Sequence, residues 1–257
     1  MVKSIEQTEP FFHVNPKGNV TVLGSKSDIC EDLAERFLRD SWQVSLWHRN
    51  ATLPLMPWDL ILVGIGVLEP IGKFFDLEAD EWEACVSSNA LLPLRLLRRL
   101  WKYRRPGASV CFFSGAGVSQ KARTYSAYSA SKLMLMKMTE LLDDEEADTK
   151  FFILGPGMVR TKIQGQTVRA GERAANHARI LQFMDTGDPA HGTGTDPERI
   201  YKCLRWCMAQ TKAVIGGRNI YVPSDGWDKG RDGAELAEAL DGHKSLFKLR
   251  RLGDGKY

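Results

Sequence analysis

Val110-Cys111-Phe112-Phe113-Ser114-Gly115-Ala116-Gly117 reads as an apolar strand that runs into a hydroxyl and two glycines, and a helical pattern from Tyr125 to Glu146 follows it. A buried run of β-formers, a small-residue turn and a helix make one unit of a parallel sheet. The unit repeats in both directions. Further strands are expected at Asn19–Leu23, Gln43–Trp47, Asp59–Gly66, Phe151–Gly155 and Arg218–Val222, with Ala108–Ser114 as the quoted one. Helices are expected near Asp28–Asp40, Asp80–Tyr103, Tyr125–Glu146 and Pro197–Gln210. This order predicts a single doubly wound α/β domain over 1–257, a parallel sheet with helices on both faces.

The composition fits. The chain has 257 residues, 43% hydrophobic and 26% charged, which excludes a mainly disordered polymer. Its net charge of +3 gives no reason to expect a nucleic-acid or membrane partner. The longest apolar run, Leu60–Leu68, is about half of what a membrane span needs. The N-terminal MVKSIEQTEPFF lacks an apolar core followed by a small-residue cleavage site, so a cytoplasmic location is expected. Five cysteines, scattered among apolar neighbours, read as free thiols, and no metal site is expected.

Two segments break the rhythm. Asn50–Trp58 is too short for a strand–helix pair. The polar stretch 162–196 crowds Gly and Pro into Thr186–Asp196, and it reads either as an active-site lid or as a surface helix with a loose loop.

The strongest chemical signal is Tyr128-Ser129-Ala130-Ser131-Lys132, because Tyr and Lys four apart share a helix face. A free phenol has a pKa of about 10, so ionising it at neutral pH costs about 4 kcal/mol. An ammonium about 4 Å away in a partly buried site offers a term of similar size. Such a pair can move a proton near neutrality. Ser114 leaves its strand at the carboxyl edge, where open parallel sheets bind ligands, and Pro156-Gly157-Met158-Val159-Arg160-Thr161 turns at the same edge. Asn89 stands alone inside an otherwise apolar helix.

Together these pieces resemble the short-chain dehydrogenase/reductase family over roughly residues 18–227, which implies a Rossmann-type fold. The matching elements are Gly24-Ser25-Lys26-Ser27-Asp28-Ile29, Glu81-Trp82 with Asn89, Ser114 to Gly117, Tyr128 to Lys132, and Pro156 to Thr161. The resemblance implies hydride exchange between a nicotinamide cofactor and a small alcohol or carbonyl substrate. Ser114 would polarise the substrate oxygen and Tyr128 would exchange the proton. Lys132 would lower the Tyr128 pKa and hold the nicotinamide ribose, while Asn89 would keep a water in the relay. Gly24, Ser25, Lys26, Ser27, Asp28, Ile29, Gly64, Gly66, Pro156, Gly157, Val159 and Thr161 would line the cofactor site with Tyr128 and Lys132. A homodimer or homotetramer is implied as well. The segment from Gly216 to Arg251 is similar to a bacterial branch associated with sugar or surface-polysaccharide genes; Arg250-Arg251 also reads as a solvated tail.

The departures are equally specific. Cys30 replaces the last glycine of the phosphate turn, so its side chain crowds either helix–strand packing or the cofactor. Val63-Gly64-Ile65-Gly66 stands where the family has Asn-Asn-Ala-Gly. Tyr128 follows Ser114 by fourteen positions, one more than usual. After the second strand, Trp47-His48-Arg49-Asn50 offers an arginine, and no acid lies between Gln43 and Trp58. An arginine there, with Lys26, favours NADP over NAD, though NAD stays open and Arg49 also reads as a solvated strand end. The alternative to an enzyme is an inactive scaffold subunit, which Cys30 and the shortened third unit favour; the set Asn89, Ser114, Tyr128 and Lys132 favours catalysis.

Overall fold

Asn19–Leu23 (β1) is buried along its whole length and pairs in parallel with a strand on each side. In the computed structural model, which describes residues 17–115, 118, 121–186, 194–231 and 233–249, six parallel strands form one sheet. After β1 come β2 (Gln43–Trp47), β3 (Trp58–Val63), β4 (Arg104–Phe113), β5 (Lys150–Gly155) and β6 (Asn219–Tyr221). The order across the sheet is β2-β1-β3-β4-β5-β6. The chain therefore reverses direction between β1 and β3, and a crevice opens at their carboxyl ends. The short Asn50–Trp58 connection leads straight from β2 into β3, so β2 is the sheet's edge.

Helices cover both faces. On one side α1 (Asp28–Arg39) and α7 (Pro197–Ala209) bury Cys30, Leu33, Phe37, Ile200 and Leu204 against the sheet. On the other, α3 (Leu92–Leu100) and α4 (Ser126–Glu145) pack Leu96, Leu97, Leu135 and Met136 against β3 and β4. The remaining helices are α2 (Ala79–Val86), α5 (Gln164–Ala170), α6 (His177–Thr186), α8 (Lys212–Ile215) and α9 (Ala234–Gly242). Arg218 is buried and donates to the carbonyls of His243 and Leu246 at 2.9 and 2.7 Å, fastening the segment after α9. Among the described residues no helix is long and apolar enough to cross a membrane, and no group of His, Cys, Asp and Glu could hold a metal.

The stretch Asp80–Tyr103 is helical throughout, with a single π-turn over Ser87–Leu91 between α2 and α3 and a 3-10 turn over Trp101–Tyr103 at its end. Asn89 lies in the π-turn, and its side chain bonds the backbone of Val67. Two expectations need correction. The strand expected to Gly66 stops at Val63, and residues 64–66 line the crevice instead. The quoted strand ends one residue before Ser114. Ala116, Gly117, residues 187–193 of the 162–196 stretch, and Arg250-Arg251 lie outside the described residues.

Candidate active site

A cavity of about 1300 Å³ opens over the carboxyl ends of β1, β3, β4 and β5. Gly24 starts its floor with a left-handed φ of 89°, which lets the backbone N–H groups of both Gly24 and Ser25 donate to Trp47 O at 2.9 Å. A methyl group on Gly24 would lie 2.8 Å from the Ile65 nitrogen, so the turn tolerates no side chain there. Lys26, Ser27, Asp28 and Ile29 continue the wall and Ser25 lies off it. Ser27 precedes α1 without a side-chain cap, leaving the amino end of the helix to face an anion. Asp28 does not oppose that field alone. Its carboxylate accepts from Lys162 N at 2.6 Å and pairs with Lys162 Nζ at 2.7 Å. These features fit a pyrophosphate, and the cavity is large enough for a dinucleotide.

Cys30 points elsewhere. It is fully buried, does not line the cavity, and its pKa is pushed up to about 12 by burial. A methyl on Gly64 would overlap the Cys30 sulfur and lie 3.3 Å from its Cβ. The thiol thus occupies space that a side chain at position 64 would fill. Of the two placements the sequence allows, the crowding is in helix–strand packing, and the glycine at 64 relieves it.

Ser114, Tyr128 and Lys132 all line the cavity beyond this turn, whereas Asn89 does not. Ser114 is held by its N–H donating to Leu154 O at 2.9 Å, and Gly155 leaves room for its hydroxyl, since a methyl there would come within 3.0 Å of Ser114 Oγ. Tyr128 sits in the first turns of α4, 8% exposed, with its hydroxyl against Gly115; a methyl on Gly115 would overlap that oxygen. Lys132 donates to Phe113 O at 3.0 Å and its ammonium lies 5.7 Å from the centre of the Tyr128 ring.

Burial governs the electrostatics. It raises the Tyr128 phenol above its ordinary range, with the nearby Cys85 thiol adding to the effect, and lowers Lys132 to about 8. The lowered phenol that the resemblance implies is thus not expressed here. Tyr128 is a neutral, protonated phenol at pH 7.

Asn89 is wholly buried. Its Oδ1 accepts from Val67 N and its Nδ2 donates to Val67 O, both at 2.8 Å, and Nδ2 reaches Ser131 Oγ at 3.1 Å. Ser131 in turn donates to Tyr128 O at 2.6 Å. The side chain therefore acts as a positioning group, tying the 64–67 loop to the helix that carries Tyr128. Sequence reasoning did not single out Ser131, Gly115 or Gly155; their small size inside the motifs was the available signal.

The other expected residues arrange by strand. Arg49 is exposed on the cavity wall after β2, beside His48. Gly64 and Gly66 line the wall after β3, and Pro156, Gly157, Val159 and Thr161 line it after β5. Gly157 has a φ of 76°, packed against Pro223 and Thr195. Of the 162–196 stretch, residues of α5 and of the start of α6 line the cavity. Gln166 accepts from Leu68 N at 2.7 Å, and the Tyr125 hydroxyl bonds both Thr167 Oγ1 at 2.9 Å and Asn176 Oδ1 at 2.5 Å.

Residues 50–172 match the family model for short chain dehydrogenases. An uncharacterised oxidoreductase of Schizosaccharomyces pombe is 27% identical over 162 residues, 62% of this chain, and one of Saccharomyces cerevisiae is 25% identical over 143 residues, 51% of this chain. The matched part spans 56% of each yeast relative, about half its length. A small-chain dehydrogenase solved in complex with NADPH superposes with a TM-score of 0.66 at 18% identity, covering 80% of this chain and 96% of its own. A putative short chain dehydrogenase of Escherichia coli complexed with NADPH gives 0.59 at 17% identity, covering 81% and 97%. The ligand-free aldohexose dehydrogenase of Thermoplasma acidophilum gives 0.65 at 16%, covering 80% and 92%. At such identities the superpositions speak for the fold. Residues 50–172 thus resemble the short-chain dehydrogenases, and the doubly wound sheet around them has the fold of the solved structures of that family.

Proposed function

We propose that the chain is an NADP-dependent reductase or dehydrogenase acting on a small carbonyl or alcohol compound, with Tyr128 as its proton donor and acceptor. The observation that carries this reading is the convergence of Ser114, Tyr128 and Lys132 on the one cavity whose far end is the Gly24 turn and the amino end of α1. Gly24, Ser27 and Ile29 would hold the pyrophosphate, Lys26 and Arg49 the 2′-phosphate, and Lys132 the nicotinamide ribose. Pro156, Gly157, Val159 and Thr161 would flank the nicotinamide. The bound cofactor supplies the hydride.

The chain's own groups handle the oxygen. The Ser114 hydroxyl orients and polarises the carbonyl, and the Tyr128 phenol gives its proton to that oxygen as reduction proceeds. A phenol raised by burial is fully protonated at neutral pH, which suits the reducing direction; oxidation would need the phenolate and so a higher pH. Lys132, at about 8, is mostly cationic at pH 7 and opposes the negative charge left on Tyr128. Arg49 and two similar structures solved in complex with NADPH support NADP over NAD. The inactive-scaffold reading loses one of its supports because Cys30 lies off the cavity. A screen of NADPH oxidation over ketones, with Tyr128→Phe as background, tests the proposal. Turnover absent from Tyr128→Phe is the expected result, and equal rates in both proteins would overturn it.

A further inference from the structure

The charge on the cavity wall is lopsided. Among the described residues eight lysine and arginine side chains line it against two carboxylates, Asp28 and Asp225. Both carboxylates are engaged, Asp28 with Lys162 and Asp225 as acceptor from Tyr221 N at 2.6 Å. Cofactor phosphates account for the cations on the β1–β2 side, Lys26 and Arg49. They do not account for Lys121 and Arg123, which lie between β4 and α4 just before Tyr125, or for Arg179 on α6.

These three belong to one rim. The 121–125 loop is joined to the start of α6 by Ala175 N donating to Thr124 Oγ1 at 3.0 Å and by the Tyr125 hydroxyl on Asn176. Arg179 donates to the Met158 sulfur at 3.0 Å, a poor acceptor for a guanidinium. No ion pair among the described residues answers Lys121, Arg123 or Arg179. Exposed cations around the mouth of a cleft with low-dielectric walls focus potential into it, and they repel each other until an anion arrives. Arginine forks also match carboxylate and phosphate oxygens.

We propose that the substrate is a carbonyl or alcohol compound bearing an anionic group, a carboxylate or a phosphate, held by Lys121, Arg123 and Arg179 while its carbonyl lies at Ser114 and Tyr128. This rests on the oxidoreductase reading above. A neutral ketone would leave the rim's charge unanswered; an anionic one is steered in and oriented by it.

Calorimetric titration at low salt with matched probes tests this. The pairs are 4-oxopentanoate against its methyl ester, and dihydroxyacetone phosphate against dihydroxyacetone. In the wild type the charged member of at least one pair is expected to bind about tenfold tighter or more than its neutral partner, and the pair that shows it identifies the anion. In Lys121→Gln/Arg123→Gln, and more weakly in Arg179→Gln, that advantage shrinks while affinity for the neutral probe holds; thermal melts confirm that the variants fold. Equal binding, or none, for both members of both pairs would overturn the proposal. So would an advantage that all variants keep, since the anion would then sit with Lys26 and Arg49. Tyr128→Phe separates the two claims: it should retain the anion advantage and lose NADPH-dependent reduction. Retained reduction in that variant would overturn the oxidoreductase mechanism and leave the anion preference standing.

Discussion

Cys30 and Gly64 share one space, and a double-mutant cycle measures how completely. The thiol fills the place where a Gly64 side chain would project, so Gly64→Ala forces the sulfur aside in a fully buried site. Overpacking of that kind costs about 1–3 kcal/mol. Cys30→Gly removes a small buried hydrophobe, worth about 1 kcal/mol, and places glycine in the first turn of α1, for another ~0.5–1 kcal/mol. If the two sites were independent, the double variant would lose the sum, roughly 2.5–5 kcal/mol. If they share one space, the alanine methyl enters the gap the thiol leaves, and the double variant loses about what Cys30→Gly loses alone. The coupling energy is then about 1–3 kcal/mol in favour of the pair. Urea melts of the four proteins read it directly. Additivity to within about 0.5 kcal/mol would refute the shared-space account. Cofactor titration of Cys30→Gly adds a check, since a thiol off the cavity leaves NADP⁺ affinity unchanged; tighter binding would mean that it strains the phosphate turn after all.

Three other outcomes are expected. Gly115→Ala pushes a methyl into the Tyr128 hydroxyl and should lower kcat by roughly 10²-fold, as a misplaced catalytic group does, with little change in Tm; unaltered kcat would place the hydroxyl elsewhere during turnover. Arg49→Ala should weaken NADPH by about 1.5 kcal/mol and leave NADH untouched in parallel titrations, the charged partner of the 2′-phosphate being lost; equal losses for both cofactors would reduce Arg49 to a solvated strand end. Burial lowers Lys132 from 10.5 to about 8, so between these values the unfolded chain binds a proton that the folded chain does not. The Lys132 contribution to stability therefore rises with pH across that window, and the buried ammonium costs stability below pH 8. Lys132→Met should be more stable than the wild type at pH 7, with the gap closing toward pH 10 in urea melts; a gap that widens with pH would contradict the sign.

The sequence made the sheet legible because strands buried on both faces are continuous apolar runs, and β1 and β5 fall close to where those runs predict; β2, half exposed at the edge, was found as a short run of β-formers. Ser114, Tyr128 and Lys132 were legible through spacing and topology alone. The limits were set by partners distant in sequence. Asn89, in the π-turn of its helix, bonds Val67, 22 positions away, and no local pattern carries that contact. Cys30 looks like a defect until Gly64 is seen beside it. Gly115 and Ser131 are small residues whose roles appear only once the Tyr128 ring and the Asn89 amide are placed against them. The raised phenol has the same origin: a one-turn spacing places an ammonium near a tyrosine, but depth of burial decides the pKa.

Proton donation by Tyr128 is the claim on which the rest depends, and single-turnover oxidation of bound NADPH tests it most directly. Wild type and Tyr128→Phe would each be loaded with NADPH and mixed with the best ketone of the screen, and the loss of nicotinamide absorbance followed at pH 7. The account predicts the same cofactor affinity in both proteins and a rate lower by roughly 10²–10⁴-fold in Tyr128→Phe, the contribution of a positioned general acid. A well-folded Tyr128→Phe protein that binds NADPH and oxidises it at the wild-type rate would contradict it.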